Sequence, residues 1–385
     1  YHRRAGFRGA IRGGRSLCGG AVAGPVKKID SSGVAARLDP GQCLRAHGMP
    51  ICAGRIRVRP EDFQVEEILG FEPDGSGAHT LVSVRKTGAN TDWAARRLAR
   101  SAGVAARDVG FAGLKDRHAV TTQWFSIPGA PDLDPDELRG DGLEIIRRVP
   151  HGRKLRRGCH AGNRFLIRVR DCHGPEPEIE SRLRAISARG VPNYFGSQRF
   201  GRDGGNLGLA SALASGRKLN RRQRGFALSA ARSAVFNAVL TERVARGEWD
   251  RLTAGDVAIL DGSASWFPVE NVDSELRSRL EIFDIHPSGP LWGQGRPPTD
   301  GPVREREEEV AQRLPDMSDC LVSAGLKQER RALRLPVRDL RWRLAEGEMR
   351  LEFRLPRGAF ATTVLSEILE PVEDAASQAA GPSSR

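Results

Sequence analysis

Alternation at both ends of the chain constrains the fold most. Arg55-Ile56-Arg57-Val58-Arg59 places an apolar residue at every second position. Phe63-Gln64-Val65-Glu66-Glu67-Ile68 and Leu81-Val82-Ser83-Val84-Arg85 follow as two further short strands. Far downstream, Leu340-Arg341-Trp342-Arg343-Leu344 and Met349-Arg350-Leu351-Glu352-Phe353-Arg354-Leu355 return to the same texture. A period of two is that of a strand with one face toward a core. Because the two sets look alike, the predicted architecture is one sheet completed by both ends of the chain, with a domain inserted between them.

The sequence between the strands fills in that plan. Asn90 or Thr91 caps a helix in which Trp93, Ala94, Leu98 and Ala99 form an apolar stripe while Arg96, Arg97 and Arg100 face out. Residues 129–142 read as a loop, and a helix runs from about Glu176 to Arg189. Phe226 to Arg246 carries the period of a long amphipathic helix, residues 247–300 read as short strands and turns, and Glu305 to Leu314 as a charged helix. Residues 359–369 read as a helix with Val364, Leu365, Ile368 and Leu369 inward. Strand, helix and strand in this order is an α/β or α+β arrangement.

Charge narrows the partners. The 385 residues carry a formal charge of +13, and the pI is about 10.2. Such an excess points to a polyanion, nucleic acid before membrane, since no basic amphipathic helix with a bulky apolar face stands out. No run reaches the ~18 uninterrupted apolar residues of a membrane span. Six cysteines are too sparse for a disulfide scaffold, so a reducing cytoplasm is expected. Cys159-His160 and Cys172-His173 resemble two metal half-sites that could face one another across a loop, but they lack the spacing of zinc knuckles. Residues 1–43 and the tail from 373 onward are polar and without apolar periodicity, and disorder is expected of both. The start shows no continuous apolar core of a secretory signal.

Three stretches carry chemistry. In Lys115-Asp116-Arg117 a lone acid sits between two cations on a turn followed by a strand, Val120 to Ile127. Flanking cations favour the ionised carboxylate, which can serve as nucleophile or general base; a charged surface turn is the plainer alternative. His118 is expected to be structural. Residues 151–158 form the densest cationic loop, with Arg153, Lys154, Arg156 and Arg157 between two glycines. Such a loop can follow a phosphate backbone, or simply be solvated. Residues 191–202 place Asn193, Tyr194, Phe195, Gln198, Arg199 and Phe200 among glycines, suited to stacking on bases and bonding their edges, or to packing a domain junction.

Together these motifs carry a resemblance. Phe111-Ala112-Gly113-Leu114-Lys115-Asp116-Arg117-His118-Ala119-Val120-Thr121, Asn193-Tyr194-Phe195-Gly196-Ser197-Gln198-Arg199-Phe200-Gly201 and Pro356-Arg357-Gly358-Ala359-Phe360-Ala361-Thr362 resemble the TruD family of tRNA pseudouridine synthases. So do Pro60-Glu61-Asp62-Phe63 and Gly162-Asn163-Arg164-Phe165. The likeness runs from about Leu44 to Pro371, in the family's order.

The resemblance implies an α+β fold, with a mixed, largely antiparallel pseudouridine synthase sheet flanked by helices and an inserted α/β domain. The expected limits are 44–189 and 335–372 for the catalytic domain and 190–334 for the insertion. It implies an isomerase that converts uridine to pseudouridine in tRNA, at position 13 in the bacterial members, without cofactor or metal. Asp116 matches the family's catalytic nucleophile, and Phe63, Asn163, Phe165 and Phe360 match substrate-contacting positions. Arg117 stands where family members often have Lys, and keeps the charge. The expected RNA contacts are Arg153, Lys154, Arg156, Arg157, Lys115, Arg117, Asn193, Tyr194, Gln198 and Arg199. A monomer is expected, because no repeated apolar face is left over. An RNA-binding protein or RNA chaperone on the same scaffold would keep the basic loops without needing Asp116; a small-substrate hydrolase using Asp116 fits the charge less well.

Overall fold

The alternating segments become strands of one sheet in the computed structural model, which describes residues 43–371. The disorder expected of residues 1–43 and 373–385 falls outside the described residues, Cys43 excepted. That side chain is buried in a cluster with Tyr194, Phe236, Leu240 and Trp249.

In chain order the strands are β1 (Cys52–Ile56), β2 (Phe63–Leu69), β3 (His79–Thr87), β4 (Gly110–Phe111), β5 (Val120–Pro128), β6 (Leu143–His151), β7 (His160–His173), β8 (Val191–Pro192), β9 (Val257–Leu260), β10 (Trp266–Pro268), β11 (Ile285–Leu291), β12 (Glu329–Ala332), β13 (Arg334–Leu335), β14 (Arg338–Ala345), β15 (Glu348–Pro356) and β16 (Leu369–Pro371). Ten form a sheet in the order β14-β15-β7-β2-β5-β3-β6, with β1 joining β7 to β16 and β4 beside β5. The β2–β5 and β1–β16 pairs are parallel and the others antiparallel. The last three strands complete a sheet begun by the first seven, as the alternation predicts. A four-stranded sheet, β10-β9-β11-β12, lies within residues 190–334, and β8 pairs with β13 where that stretch leaves and rejoins the main sheet.

Register partners share a face of a sheet. Phe63 lies opposite Ile167, Val65 opposite both Phe165 and Thr121, and Phe353 opposite Phe165. Over Phe63, Phe165 and Phe353 the helix Glu176–Arg189 closes a core with Ile179, Leu183 and Ile186. Farther along the same face, Ala94 and Leu98 of the helix Thr91–Ser101 cover Val82, Val84, Phe125 and Ile127. Each large apolar side chain buried in these cores contributes ~1.5–3 kcal/mol. Between the two cores the same face is polar, carrying Glu67, Thr121, Gln123 and Asn163, all buried. The opposite face carries paired charges, among them Arg164 between Glu66 and Glu352.

Three local expectations change. Residues 129–142 include a helix, Pro135–Gly140, because the Asp134 carboxylate accepts from the Asp136 and Glu137 N–H groups as an N-cap. The helix expected over 359–369 spans only Ala361–Leu365. Its remainder turns into β16, since the exposed edge of β1 needs backbone partners: the Ile51 and Cys52 N–H groups donate to Ile368 O. The first strand is Cys52–Ile56 rather than 55–59. Arg57 has φ +59° and breaks it. That left-handed conformation is uncommon for a non-glycine residue, and here it turns a guanidinium toward the loop between β4 and β5.

Candidate active site

The loop from Ala112 to Ala119 crosses the polar seam between the two cores. A closed hydrogen-bond chain braces it. The Lys115 N–H donates to Thr91 Oγ1 at 2.9 Å, the Thr91 hydroxyl to Gln123 Oε1 at 3.0 Å, and Gln123 Nε2 to Gly113 O at 2.6 Å. Thr91 and Gln123 are buried, so these bonds form away from solvent and leaving one unmade would cost ~1–3 kcal/mol. The network holds the turn on both sides of Leu114.

Asp116 emerges from this turn with its side chain 36% exposed. Its Oδ2 lies 2.9 Å from Arg57 Nη2, and its Oδ1 accepts from the His118 N–H at 3.0 Å. Both carboxylate oxygens are therefore oriented while the group stays accessible. The Arg57 guanidinium also lies over the Phe63 ring, 4.2 Å from its centroid. The cations next to Asp116 in sequence are used elsewhere. Lys115 is buried and bonds Glu67 at 2.6 Å, while Glu67 also accepts from the Trp124 N–H. Arg117 Nε donates to Gly88 O at 3.1 Å. The expectation that Lys115 and Arg117 attend Asp116 is corrected: the cation paired with it is Arg57. Lys115 is likewise too buried to meet RNA.

The four substrate-contact candidates occupy different depths. Phe63 and Phe165 are 4% and 6% exposed, and with Phe353 they form a run of rings with centroids 6.3 and 5.4 Å apart. Asn163 is opposite Glu67 in register and buried, and its Oδ1 has no hydrogen-bond partner among the described residues. Phe360 is 42% exposed at the start of the helix Ala361–Leu365. It lines a cleft of about 550 Å³ together with Ile56, the neighbour of Arg57, and with Phe195, Gln198 and Arg199 from the 190–334 stretch. The cleft thus brings Phe360, Gln198 and Arg199 together from distant parts of the chain.

Asn193 and Tyr194 are not on that surface, which corrects their assignment as RNA contacts. Both are buried. Asn193 accepts from Arg331 Nη2 at 2.7 Å and donates to Ala332 O at 2.8 Å, and the Tyr194 hydroxyl donates to Leu44 O at 3.3 Å. The reason is that β12 takes up the Asn193 side chain while Phe236 and Leu240 of the helix Arg221–Ala245 pack with Tyr194, and Asn237 of that helix bonds both the N–H and the carbonyl of Phe195. Of the two roles read for this stretch, packing a junction is the one these two residues take.

The basic loop is divided as well. Leu155 is buried and its N–H donates to Ser126 Oγ at 2.9 Å, anchoring the loop. Lys154 Nζ donates to Arg107 O, and the Arg157 guanidinium lies 3.8 Å from the centroid of Phe111 and 3.9 Å from Asp92. All four cations are exposed, but the Arg153 and Arg156 side chains make no hydrogen bond or ion pair among the described residues. The Cys-His pairs cannot face one another, because His160 and His173 are the two ends of β7, a 14-residue strand, roughly 40 Å long at the usual rise. Among the described residues no group of three or more His, Cys, Asp or Glu is placed to hold a metal ion, and no helix is long and apolar enough to cross a membrane.

Arg57, Glu67, Thr91 and Gln123 are the functional residues that sequence reasoning missed. Arg57 and Glu67 looked like the polar half of strand alternation, and nothing local marked their partners.

The chain is similar to known proteins in both sequence and fold. A family model described as tRNA pseudouridine synthase D (TruD) matches residues 41–210 and 207–368. The chain is similar to the tRNA pseudouridine synthase D of Methylococcus capsulatus, 49% identical over 331 residues that make up 85% of this chain and 94% of that one. It is 46% identical over 344 residues to that of Nitrosococcus oceani, covering 87% and 96%. Its fold matches the crystal structure of a putative tRNA pseudouridine synthase D from Methanosarcina mazei, with a TM-score of 0.66 at 22% identity over 85% of this chain and 96% of that one.

Proposed function

The chain belongs to the TruD family of tRNA pseudouridine synthases, isomerases acting on tRNA, and on that premise we propose that it converts uridine to pseudouridine at position 13 of tRNA with Asp116 as the attacking group. One observation carries the assignment. The Asp116 carboxylate is held at both oxygens, by Arg57 and by the His118 N–H, yet remains one-third exposed on a loop braced by buried bonds. A side chain so fixed pays little further entropy on meeting its target.

The reaction balances without a cofactor. The bond from N1 to C1′ breaks, one from C5 to C1′ forms, and the proton leaving C5 is matched by one taken up at N1. The carboxylate can attack C1′ or add to C6 of the ring; either route uses the same oxygen geometry. The target base must first leave its stack at a cost of a few kcal/mol. Phe360, exposed in the cleft, is placed to offset this by stacking, worth ~1–3 kcal/mol per base. Asn163 Oδ1, a buried acceptor without a partner, suits the imide N–H of a uracil ring. Phe63 and Phe165 act from below, as the apolar floor against which Arg57 is set. Gln198, Arg199, Arg153 and Arg156 are the exposed groups for the RNA around the target. On this reading residues 190–334 are an inserted unit whose neck is the β8–β13 pair, and the cleft between it and the main sheet receives the RNA.

Asp116→Asn tests the assignment. It keeps the side chain's shape and one accepting oxygen but removes the charge, so tRNA binding is expected to remain while pseudouridine, read by carbodiimide mapping at position 13, disappears. Near-normal product would refute it. Wild-type protein that binds tRNA but forms no pseudouridine in a single-turnover assay would favour the RNA-chaperone alternative instead.

A further inference from the structure

Beneath the Asp116 turn lies a charged group that none of these roles uses. Lys86 is the second-last residue of β3, between the exposed Arg85 and Thr87. Its register partners are Thr121 on β5 and Leu143 on β6, which places it at the end of the strand next to the catalytic loop. It is 1% exposed. Its Nζ donates to Ala89 O at 2.6 Å and makes a longer contact, 3.5 Å, with the backbone carbonyl of Asp116. Among the described residues it has no carboxylate within ion-pair distance. An ammonium buried without such a partner is costly, and a methionine of similar length would avoid that cost. Packing alone therefore gives no reason for a lysine at this position.

We propose that Lys86 is a positioning residue for Asp116, its ammonium tying the 88–91 turn to the Asp116 backbone so that the carboxylate is held in place against Arg57 and the His118 N–H. The two segments it joins are the ones that brace the loop: Ala89 precedes the Asn90 cap and Thr91, and Thr91 receives the Lys115 N–H. The charged groups facing it are those of the loop, Lys115 and Asp116; from β5 and β6 it meets Thr121 and Leu143, which carry no charge. Burial first, and then repulsion from Lys115, hold the ammonium down to about 8, with Asp116 pulling the other way. It thus keeps its proton below that pH and loses it above.

The inference rests on Asp116 being the attacking group, and the experiment separates the two. Lys86→Met is measured for single-turnover rate at saturating tRNA, for tRNA affinity and for folding by circular dichroism. The expected result is a rate lower on the order of 10- to 100-fold, as for a displaced reacting group, with affinity unchanged. The pH profile gives a second readout that a structural role would not move. The wild-type rate is expected to fall as pH rises through about 8, and Lys86→Arg, whose guanidinium keeps its proton, is expected to move that limb upward. A full rate in Lys86→Met, an affinity that falls in step with the rate, or an unmoved limb in Lys86→Arg overturns the proposal. Should Lys86→Met fail to fold, the wild-type and Lys86→Arg profiles decide alone. An active Asp116→Asn overturns both readings; an inactive one beside a fully active Lys86→Met overturns only this one.

Discussion

The basic loop offers a prediction with a magnitude. By sequence its four cations look equivalent. By structure all four are exposed, but Lys154 bonds a backbone carbonyl and Arg157 lies on Phe111 beside Asp92, whereas the Arg153 and Arg156 side chains make no hydrogen bond or ion pair among the described residues. If Arg153 and Arg156 each neutralise one phosphate, replacing both with Gln removes two contacts. Each contact contributes ~0.7–0.9 to the slope of log affinity against log salt, so the slope falls by about 1.4–1.8. Between 50 and 200 mM salt, a fourfold change, that makes the variant's loss of affinity roughly 7- to 12-fold smaller than the wild type's. The companion variant, Lys154→Gln with Arg157→Gln, is expected to change the slope by less than half as much. Filter binding or fluorescence anisotropy with unmodified tRNA at several salt concentrations measures both. Equal slope changes in the two variants would refute the division of the loop, and no change in either would remove the loop from the RNA surface. Product formed per bound tRNA is expected to stay near wild type in both.

Depth in the site separates two aromatic roles. Phe165→Ala removes a ring packed between Phe63 and Phe353 and is expected to cost ~3–5 kcal/mol of stability, read as a shifted urea midpoint. Phe360→Ala, at an exposed ring, should leave stability within ~0.5 kcal/mol and lower turnover; a reversed pattern would contradict the placement. Acid stability has a specific source in Asp62. Burial alone would raise its carboxyl, but two bonds from Arg170 and one from the Arg59 N–H leave it below the ordinary carboxylate value. A depressed folded value contributes stability that is complete above the unfolded value of about 3.9 and lost as pH falls through the folded one. Asp62→Asn is therefore expected to flatten the acid-unfolding curve below about pH 4, and curves parallel to wild type would count against the pairing.

Much of the fold could be read without the structure because strand alternation is a local signal. Met349 to Leu355 alternates inward and outward in β15 as its sequence does. The helix from Thr91 begins at the Asn90 cap, whose side chain accepts from the Trp93 N–H. Where a segment's fate depended on a distant partner, local reading failed. Residues 359–369 have a helical apolar pattern, but Leu369 begins a strand, Leu369–Pro371, that is claimed by the open edge of β1. Asn193 and Tyr194 look like base contacts until β12 bonds the first and the helix Arg221–Ala245 packs against the second.

The sequence by itself determined that Lys115-Asp116-Arg117 is a turn presenting an acid ahead of a strand, and that both ends of the chain share a sheet. Side-chain partners were left to the tertiary structure. Neighbours along a turn need not point the same way, so Lys115 reaches back to Glu67 while Asp116 turns outward to Arg57. Arg57 meets Asp116 only because β1 and β2 are set beside the β5 loop by their pairings with β7 and β5, and because its own backbone leaves the strand. Ion pairing depends on a few ångströms of separation in space, and sequence distance does not encode that.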